Sequence, residues 1–312
     1  MYAKLIIMLL LIPGIATFAP FATIQRQNAF VTRSTEFDDS SPSDSADETF
    51  EQQQESSSDS TSIMAELAAS RDRLLAYIGD EGSGVARGEV ETLVTSLVDS
   101  SRICAASEKT QMSTTPLLTG SWTLVYSSTD STRSSPFFPC FTKAFGDDVA
   151  SQIYRITDSI PEGIKDVGEA KQTFDMDANT LVSRVEVSAL NDLSSSIMTT
   201  RSTFSVDKEG ANEATLNISV GTTKPEKSTI VSKLPDFLKG LAESVPGFPS
   251  GAALEAVKKG SGKVSFEEVF FDEEIRVNKY ETGKGDYGVE TFIWKRASFG
   301  AGDMSGEKVW EF

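Results

Sequence analysis

The pattern of hydrophobic residues changes its period at Gly120 in this chain of 312 residues. Before that glycine, apolar side chains recur at helical spacing, and after it short segments alternate apolar and polar residues between turn-forming clusters. Nine segments have this two-residue period: 122–126, 151–157, 171–176, 181–188, 198–206, 213–220, 264–271, 275–280 and 289–295. We therefore predict a mainly β fold, with an antiparallel β-barrel over residues 117–297. A barrel of about eight strands is just wide enough for side chains or one small ligand.

Two helices are predicted before the barrel, within residues 61–110. The first covers 61–80 and the second about 87–103, and each carries apolar residues on one face. We expect them to form a hairpin that packs on the barrel, in preference to a docking site for a partner. A third apolar helix interrupts the strands at 230–245, where it would cap the barrel or rest on a lipid surface.

The N-terminus has the features of two targeting signals in series. Residues 1–17 combine Lys4 with an apolar run that suits a signal peptide and is too short to span a bilayer. Residues 18–35 are basic, rich in hydroxyl groups and free of acids, which is typical of a plastid or mitochondrial transit peptide. With Phe18 at the junction, the whole resembles the bipartite leader of algae whose plastids lie inside the endomembrane system. We predict import into a plastid, and secretion with a propeptide is the alternative.

Residues 36–60 form an acidic linker with nine acids and no base. It has almost no apolar residue to offset chain entropy, so we predict that it is disordered. The whole chain has a net charge of −17 and no basic stripe, which argues against nucleic-acid binding and against attraction to anionic membranes. Any membrane contact is expected to be apolar and local. Residues 298–312 are predicted to be a C-terminal tail.

The absence of histidine excludes several catalytic and metal-binding systems. Ser-His-Asp triads, Cys-His pairs and His-ligated zinc all require it, and we predict no metal, no cofactor and no catalytic residue. The two cysteines, Cys104 and Cys140, are expected to be free thiols. The glycine pattern at 283–288 matches a dinucleotide-binding fingerprint, but a strand follows it instead of a helix, so a hairpin turn is predicted there.

Three segments carry more specific patterns. Residues 118–128 read LTGSWTLVYSS, residues 269–277 read VFFDEEIRV and residues 291–296 read TFIWKR. They resemble the opening strand, a strand-turn-strand unit and the closing strand of the PAP/fibrillin family of plastid lipid-associated proteins. Residues 151–156 are a weaker match to the family's second strand. The resemblance spans roughly residues 65–297.

The resemblance implies a lipocalin-like barrel at thylakoids or at plastoglobules, the lipid droplets of plastids. It implies binding or organising of prenyl lipids, carotenoids or other apolar molecules, and no catalytic residues. Strand alternation then suggests seven residues for ligand contact: Trp122, Leu124, Tyr126, Phe270, Arg276, Phe292 and Trp294. Among them, Trp122 would plug one end of the barrel and Arg276 would cross under it to that ring, while Ile293 would face outward. Lipid-surface contact is predicted for a loop and for the 230–245 helix, through Phe137, Phe138, Leu234, Phe237, Leu238 and Leu241.

Three alternatives stay open at this point. The barrel interior either holds a ligand or is filled by its own side chains, since sequence does not show volume. A filled barrel would suit a structural coat of plastid lipid droplets. A carboxylate-based enzyme acting on a lipid-like substrate would need a buried acid pair, and the acids at 267–268 and 272–273 look exposed in the sequence.

Overall fold

The computed structural model of the chain describes residues 56–81, 85–107, 115–161, 164–189, 193–210, 212–229, 247–281 and 288–297. The predicted leader, the linker up to residue 55, the predicted helix at 230–245 and the tail lie outside the described residues. So does nearly all of the glycine-rich turn at 283–288.

Eight antiparallel strands form one closed barrel, as predicted. Each strand pairs with the next along the chain, and β8 closes the ring by pairing with β1. The strands are β1 Gly120–Ser127, β2 Lys165–Asp175, β3 Thr180–Ala189, β4 Ser194–Gly210, β5 Glu213–Glu226, β6 Lys263–Phe271, β7 Ile275–Glu281 and β8 Val289–Arg296. The lipocalin-like architecture is therefore confirmed.

A helical hairpin precedes the barrel and packs against its outside. Helix α1 spans Ser56–Glu81 and so begins within the segment that we predicted as a disordered linker, and helix α2 spans Arg87–Ser107. Their apolar faces meet outward-facing residues of β6, β7 and β8 in what we call the outer cluster: Leu74, Ile78, Val90, Val94, Leu97, Val98, Phe270, Ile275, Val277 and Ile293. The predicted packing of the hairpin on the barrel is confirmed.

Two further helices occupy the connection between β1 and β2, where we had predicted a loop and a strand at 151–157. Helix α3 spans Phe137–Phe145 and helix α4 spans Asp147–Asp158. The prolines that suggested a loop lie at the N-cap and in the first turn of α3, where a missing N–H costs little. In α4 the buried residues Ala150, Ile153 and Tyr154 have helical spacing. The predicted strand at 151–157 was therefore wrong.

The two ends of the barrel differ in the length of their connections. At the closed end, β2–β3, β4–β5 and β6–β7 are joined by short turns, and the last turn is held by Asp272, whose carboxylate accepts from the N–H groups of Glu274 and Ile275. At the open end lie the β1–β2 connection with α3 and α4, and the β5–β6 connection with helix α5, Ser250–Val257. The open end is thus where the chain has room to build a binding surface.

Candidate ligand site in the barrel

The closed end is plugged by Trp122. A short 3₁₀-helix at Thr115–Leu118 runs into β1, and the indole Nε1 of Trp122 donates to the carbonyl of Leu118 over 2.9 Å. Arg296, near the end of β8, lies over the same ring at 4.2 Å and donates to the carbonyls of Leu117 and Thr119. The ring is completely buried, so a ligand has no route into the barrel past Trp122.

Aromatic side chains fill the interior above this plug. We call the set that packs inside the barrel the interior cluster, and its aromatic members on the strands are Trp122, Phe174, Phe204, Phe266, Phe271, Phe292 and Trp294. The guanidinium carbon of Arg276 lies among them, 4.6 Å from the centroid of Phe174 and 4.8 Å from that of Trp294. It is also 5.7 Å from the ring of Trp122. Stacking of this kind stabilises a guanidinium that has lost its water.

Arg276 also belongs to a buried polar group. Its Nη2 donates to Oε1 of Gln172, and its Nε lies 3.5 Å from Oε2 of Glu268. Burial raises the pKa of Glu268 and lowers that of Arg276, while the attraction between the two charges opposes both shifts. Nε and Nη1 of Arg276 and Oε2 of Glu268 have no hydrogen-bond partner among the described residues. The pair therefore leaves three polar atoms inside the barrel that can still form hydrogen bonds.

A strip of hydroxyl groups lines the opposite wall, on β3, β4 and β5. The hydroxyl of Thr200 accepts from that of Ser135 at 3.2 Å and is hydrogen-bonded to that of Thr223 at 3.3 Å. Thr223 is in turn hydrogen-bonded to Ser250 of α5 at 2.9 Å. Two more hydroxyls on this wall have no hydrogen-bond partner among the described residues: Ser183 and Ser202. The interior thus has an aromatic side and a hydroxyl side.

A second polar group lies at the open end, under helix α4. Arg133 is buried, forms an ion pair with Asp158, and stacks on the ring of Tyr154 at 4.4 Å. Its Nη1 lies 4.0 Å from the carboxylate of Glu290. Burial raises the pKa of Glu290 to about 7, because desolvation outweighs the attraction of Arg133. Burial also raises the pKa of Tyr280, its neighbour on β7, to about 12. This group closes the mouth of the barrel with ionisable side chains.

Five of the seven residues suggested for ligand contact face the interior: Trp122, Leu124, Arg276, Phe292 and Trp294. Ile293 faces outward, as expected. Tyr126 and Phe270 do not join them, because they pack in or against the outer cluster beneath the helical hairpin. Irregularities in strand pairing, between Leu124 and Tyr126 and between Glu268 and Phe270, shift the alternation by one residue. Phe271 therefore takes the interior position that we had assigned to Phe270.

The residues suggested for lipid contact are placed differently from the prediction. Phe137 and Phe138 lie in the first turn of α3 instead of a loop, and both are half-buried against the interior cluster. The four residues of the 230–245 helix, Leu234, Phe237, Leu238 and Leu241, lie outside the described residues.

Sequence reasoning missed the polar members of the interior. Glu268 and Glu290 had been overlooked or judged exposed, yet each is about 97% buried or more. A signal was available, because Glu268 follows Phe266 by two residues and Glu290 precedes Phe292 by two. Each acid lies near an arginine, whose charge offsets part of the cost of burying the carboxylate.

A comparison with protein-family models places this barrel in a known group. The model PAP_fibrillin matches residues 76–289, from the end of α1 to the start of β8. The chain belongs to the PAP/fibrillin family. PAP/fibrillin proteins are in general plastid lipid-associated proteins, and neither the family nor the lipocalin-like barrel is generally enzymatic. No curated protein and no solved structure gives a significant match to the chain. Within the described residues, no helix combines the length and the apolarity needed to cross a bilayer.

Proposed function

We propose that this PAP/fibrillin protein binds or organises apolar lipids or pigments, such as prenyl lipids and carotenoids, at thylakoids or plastoglobules. It would reach the plastid through its bipartite leader and approach the lipid with the open end of its barrel. The observation that supports this orientation is the position of its exposed apolar side chains.

Exposed large hydrophobic residues concentrate at the open end. Of the ten among the described residues, seven lie in its connections or at the first residue of a strand that begins there: Val149, Ile156, Ile164, Leu193, Phe248, Val257 and Val289. Leu193 and Phe248 are 67% and 48% exposed. An apolar surface of this kind is typical of a membrane or protein contact. The acidic net charge favours uncharged lipid as the partner.

A flotation assay tests the orientation. The purified protein is mixed with triacylglycerol droplets coated with uncharged galactolipid, and a variant carrying Ile156→Glu, Leu193→Glu and Phe248→Glu is compared with it. Burying an aliphatic or aromatic side chain contributes about 1.5–3 kcal/mol. Three charges should therefore lower the partition constant between droplet and solution at least tenfold, a loss of roughly 1.4 kcal/mol or more. The matched control is Met64→Glu with Ile103→Glu, two exposed apolar residues on the helical hairpin. Equal loss in both variants would contradict the proposed orientation.

A structural coat without an internal ligand is the second candidate, and the packed aromatic interior favours it. The two candidates separate when the Leu234→Glu, Leu238→Glu variant is examined for both properties. If the protein is a coat, this variant loses its association with droplets, and neither the wild type nor the variant retains a lipid. A carrier, incubated with plastid lipid and pigment extract and repurified, keeps an apolar molecule near one per chain, which mass spectrometry identifies.

A further inference from the structure

The mouth of the barrel contains a cleft between the sheet and the helices that cover it. Tyr280 and Glu290 are directly paired across β7 and β8, and both line this cleft. The covering residues come from α3, α4 and the turn before them: Arg133, Phe138, Pro139, Thr142 and Tyr154. The free space accommodates about one water molecule.

Two polar groups of this cleft have unmet hydrogen-bonding capacity. Within the described part of the chain, neither the carboxylate of Glu290 nor the hydroxyl of Tyr280 makes a hydrogen bond, although Glu290 is only 3% exposed. The guanidinium of Arg133, at 4.0 Å, is beyond hydrogen-bond distance from Glu290. By contrast, the hydroxyl of Tyr154 bonds to Thr142 at 2.8 Å and donates to the carbonyl of Phe138 at 3.1 Å. Arg133 offsets part of the cost of burying Glu290, and Tyr280 is only half-buried. A donor from outside the chain, either a water or a ligand hydroxyl, would supply the hydrogen bond that the carboxylate lacks here.

The geometry of these two groups defines the chemistry of their partner. The carboxylate of Glu290 accepts, and the phenol of Tyr280 can donate, so a partner that satisfies both must donate and accept at once. A carboxylate or phosphate would be repelled by Glu290, and an ammonium would meet Arg133. A hydroxyl group has the required size and both capacities, and the ring of Phe138 beside the cleft suits an apolar remainder.

We propose that the cleft between Tyr280 and Glu290 binds the terminal hydroxyl group of an apolar lipid, whose hydrocarbon part extends from the barrel mouth along Phe138. The hydroxyl donates to Glu290 and accepts from Tyr280. At pH 8.5 Glu290 is mostly ionised despite its raised pKa, and it is then a strong acceptor. This inference rests on the proposed function, since it names the lipid class that the carrier takes.

Three probes with one skeleton test it: a C20 isoprenoid alcohol, its methyl ether and the parent hydrocarbon. Binding to the purified protein is followed at pH 8.5 by quenching of tryptophan fluorescence. The alcohol should bind about tenfold more tightly than the ether, which accepts but does not donate, because hydrogen bonds to charged groups are worth more than neutral ones. The ether should in turn bind more tightly than the hydrocarbon.

Variants assign the preference to the cleft. Glu290→Gln should reduce the advantage of the alcohol over the ether, and Tyr280→Phe should reduce the advantage of both over the hydrocarbon. The matched control, Glu281→Gln, changes an exposed acid at the same end and should leave all three affinities as they are. Circular dichroism and urea unfolding verify that each variant is folded.

The outcomes separate this inference from the proposed function. If all three probes bind equally well, the cleft holds an ordered water only, and the hydroxyl proposal is overturned while the carrier function stands. If none binds but the protein still floats with droplets, both the hydroxyl proposal and the carrier are overturned in favour of the coat. A preference for the alcohol that Glu290→Gln leaves unchanged would also overturn the assignment to this cleft.

Discussion

Replacing Glu290 by glutamine should change how the stability of the protein depends on pH. Burial raises the pKa of Glu290 in the folded protein to about 7, whereas the unfolded chain titrates near the ordinary value of about 4.3. Between these values the folded state binds more protons than the unfolded state. The free energy of unfolding that Glu290 contributes is therefore fully present below the unfolded pKa, and it is lost as pH rises through the folded pKa. Glutamine has no such titration.

The magnitude follows from the difference between the two pKa values. A difference of about 2.7 corresponds to about 4 kcal/mol, of which about 2–3 kcal/mol falls between pH 5 and pH 8. Relative to the wild type, Glu290→Gln should thus gain about 2–3 kcal/mol of stability at pH 8 compared with pH 5. The other ionisable groups that face Glu290, namely Arg87, Arg133, Asp158, Tyr154 and Tyr280, are the same in both proteins, so their titration largely cancels.

Urea unfolding at pH 5, 6, 7 and 8, followed by tryptophan fluorescence, measures this difference. Glu267→Gln serves as the matched control, because Glu267 is an exposed acid on β6. The control should run parallel to the wild type at every pH. Parallel curves for Glu290→Gln as well would refute the reasoning, because they would mean that Glu290 has the same proton affinity in the folded and unfolded states.

Three more predictions follow from packing and burial. Gly251→Ala should destabilise the protein by about 1–3 kcal/mol or more in urea unfolding, because a Cβ at this residue would lie 1.8 Å from a backbone carbonyl of β5; Gly79→Ala, with open space around it, should not destabilise. Leu97→Ala should cost about 2–5 kcal/mol in the same assay, since this fully buried side chain joins α2 to the barrel, and a loss below 1 kcal/mol would show that the hairpin does not contribute to global stability. In a Cys104→Ser variant, Cys140 should resist a thiol reagent at pH 8 until denaturant is added, because burial raises its pKa to about 12; rapid labelling of the native protein would contradict this.

The barrel could be predicted from sequence because its signals are local and repeated. Strand alternation and turn residues recur in each hairpin, and both helices of the N-terminal hairpin have one clear apolar face. The β1–β2 connection was misread because prolines and a short alternating run resemble a loop and a strand. The spacing of Ala150, Ile153 and Tyr154 was the better guide. Ile153 and Tyr154 follow Ala150 by three and four residues, which places all three on one face of a helix.

The candidate site was predicted less well, for reasons of register and burial. A single shift in strand pairing turns every later residue of the strand to the opposite face of the sheet. The residues around Tyr126 and Phe270 give no sequence signal of the shifts that occur there. The interior acids were missed because charged residues are seldom buried without a partner. The partner of Glu290, Arg133, is distant in sequence and reaches it only in the folded barrel. The partner of Glu268, Arg276, lies on the next strand, but the glutamine that holds this arginine, Gln172, is distant as well.

Closure of the ring by β1 and β8 has a consequence for the order in which the chain can fold. Each other pair of strands is adjacent along the chain, but β1 must wait for β8, which is the last of the eight strands to leave the ribosome. Until then the growing chain presents two unpaired strand edges, one on β1 and one on β7, and such edges are sites of aggregation. Trp294 and Arg296, which pack with Arg276 and Trp122, also arrive only with that last strand. Nascent chains that end before residue 296 should therefore need a chaperone or a second chain to protect those edges.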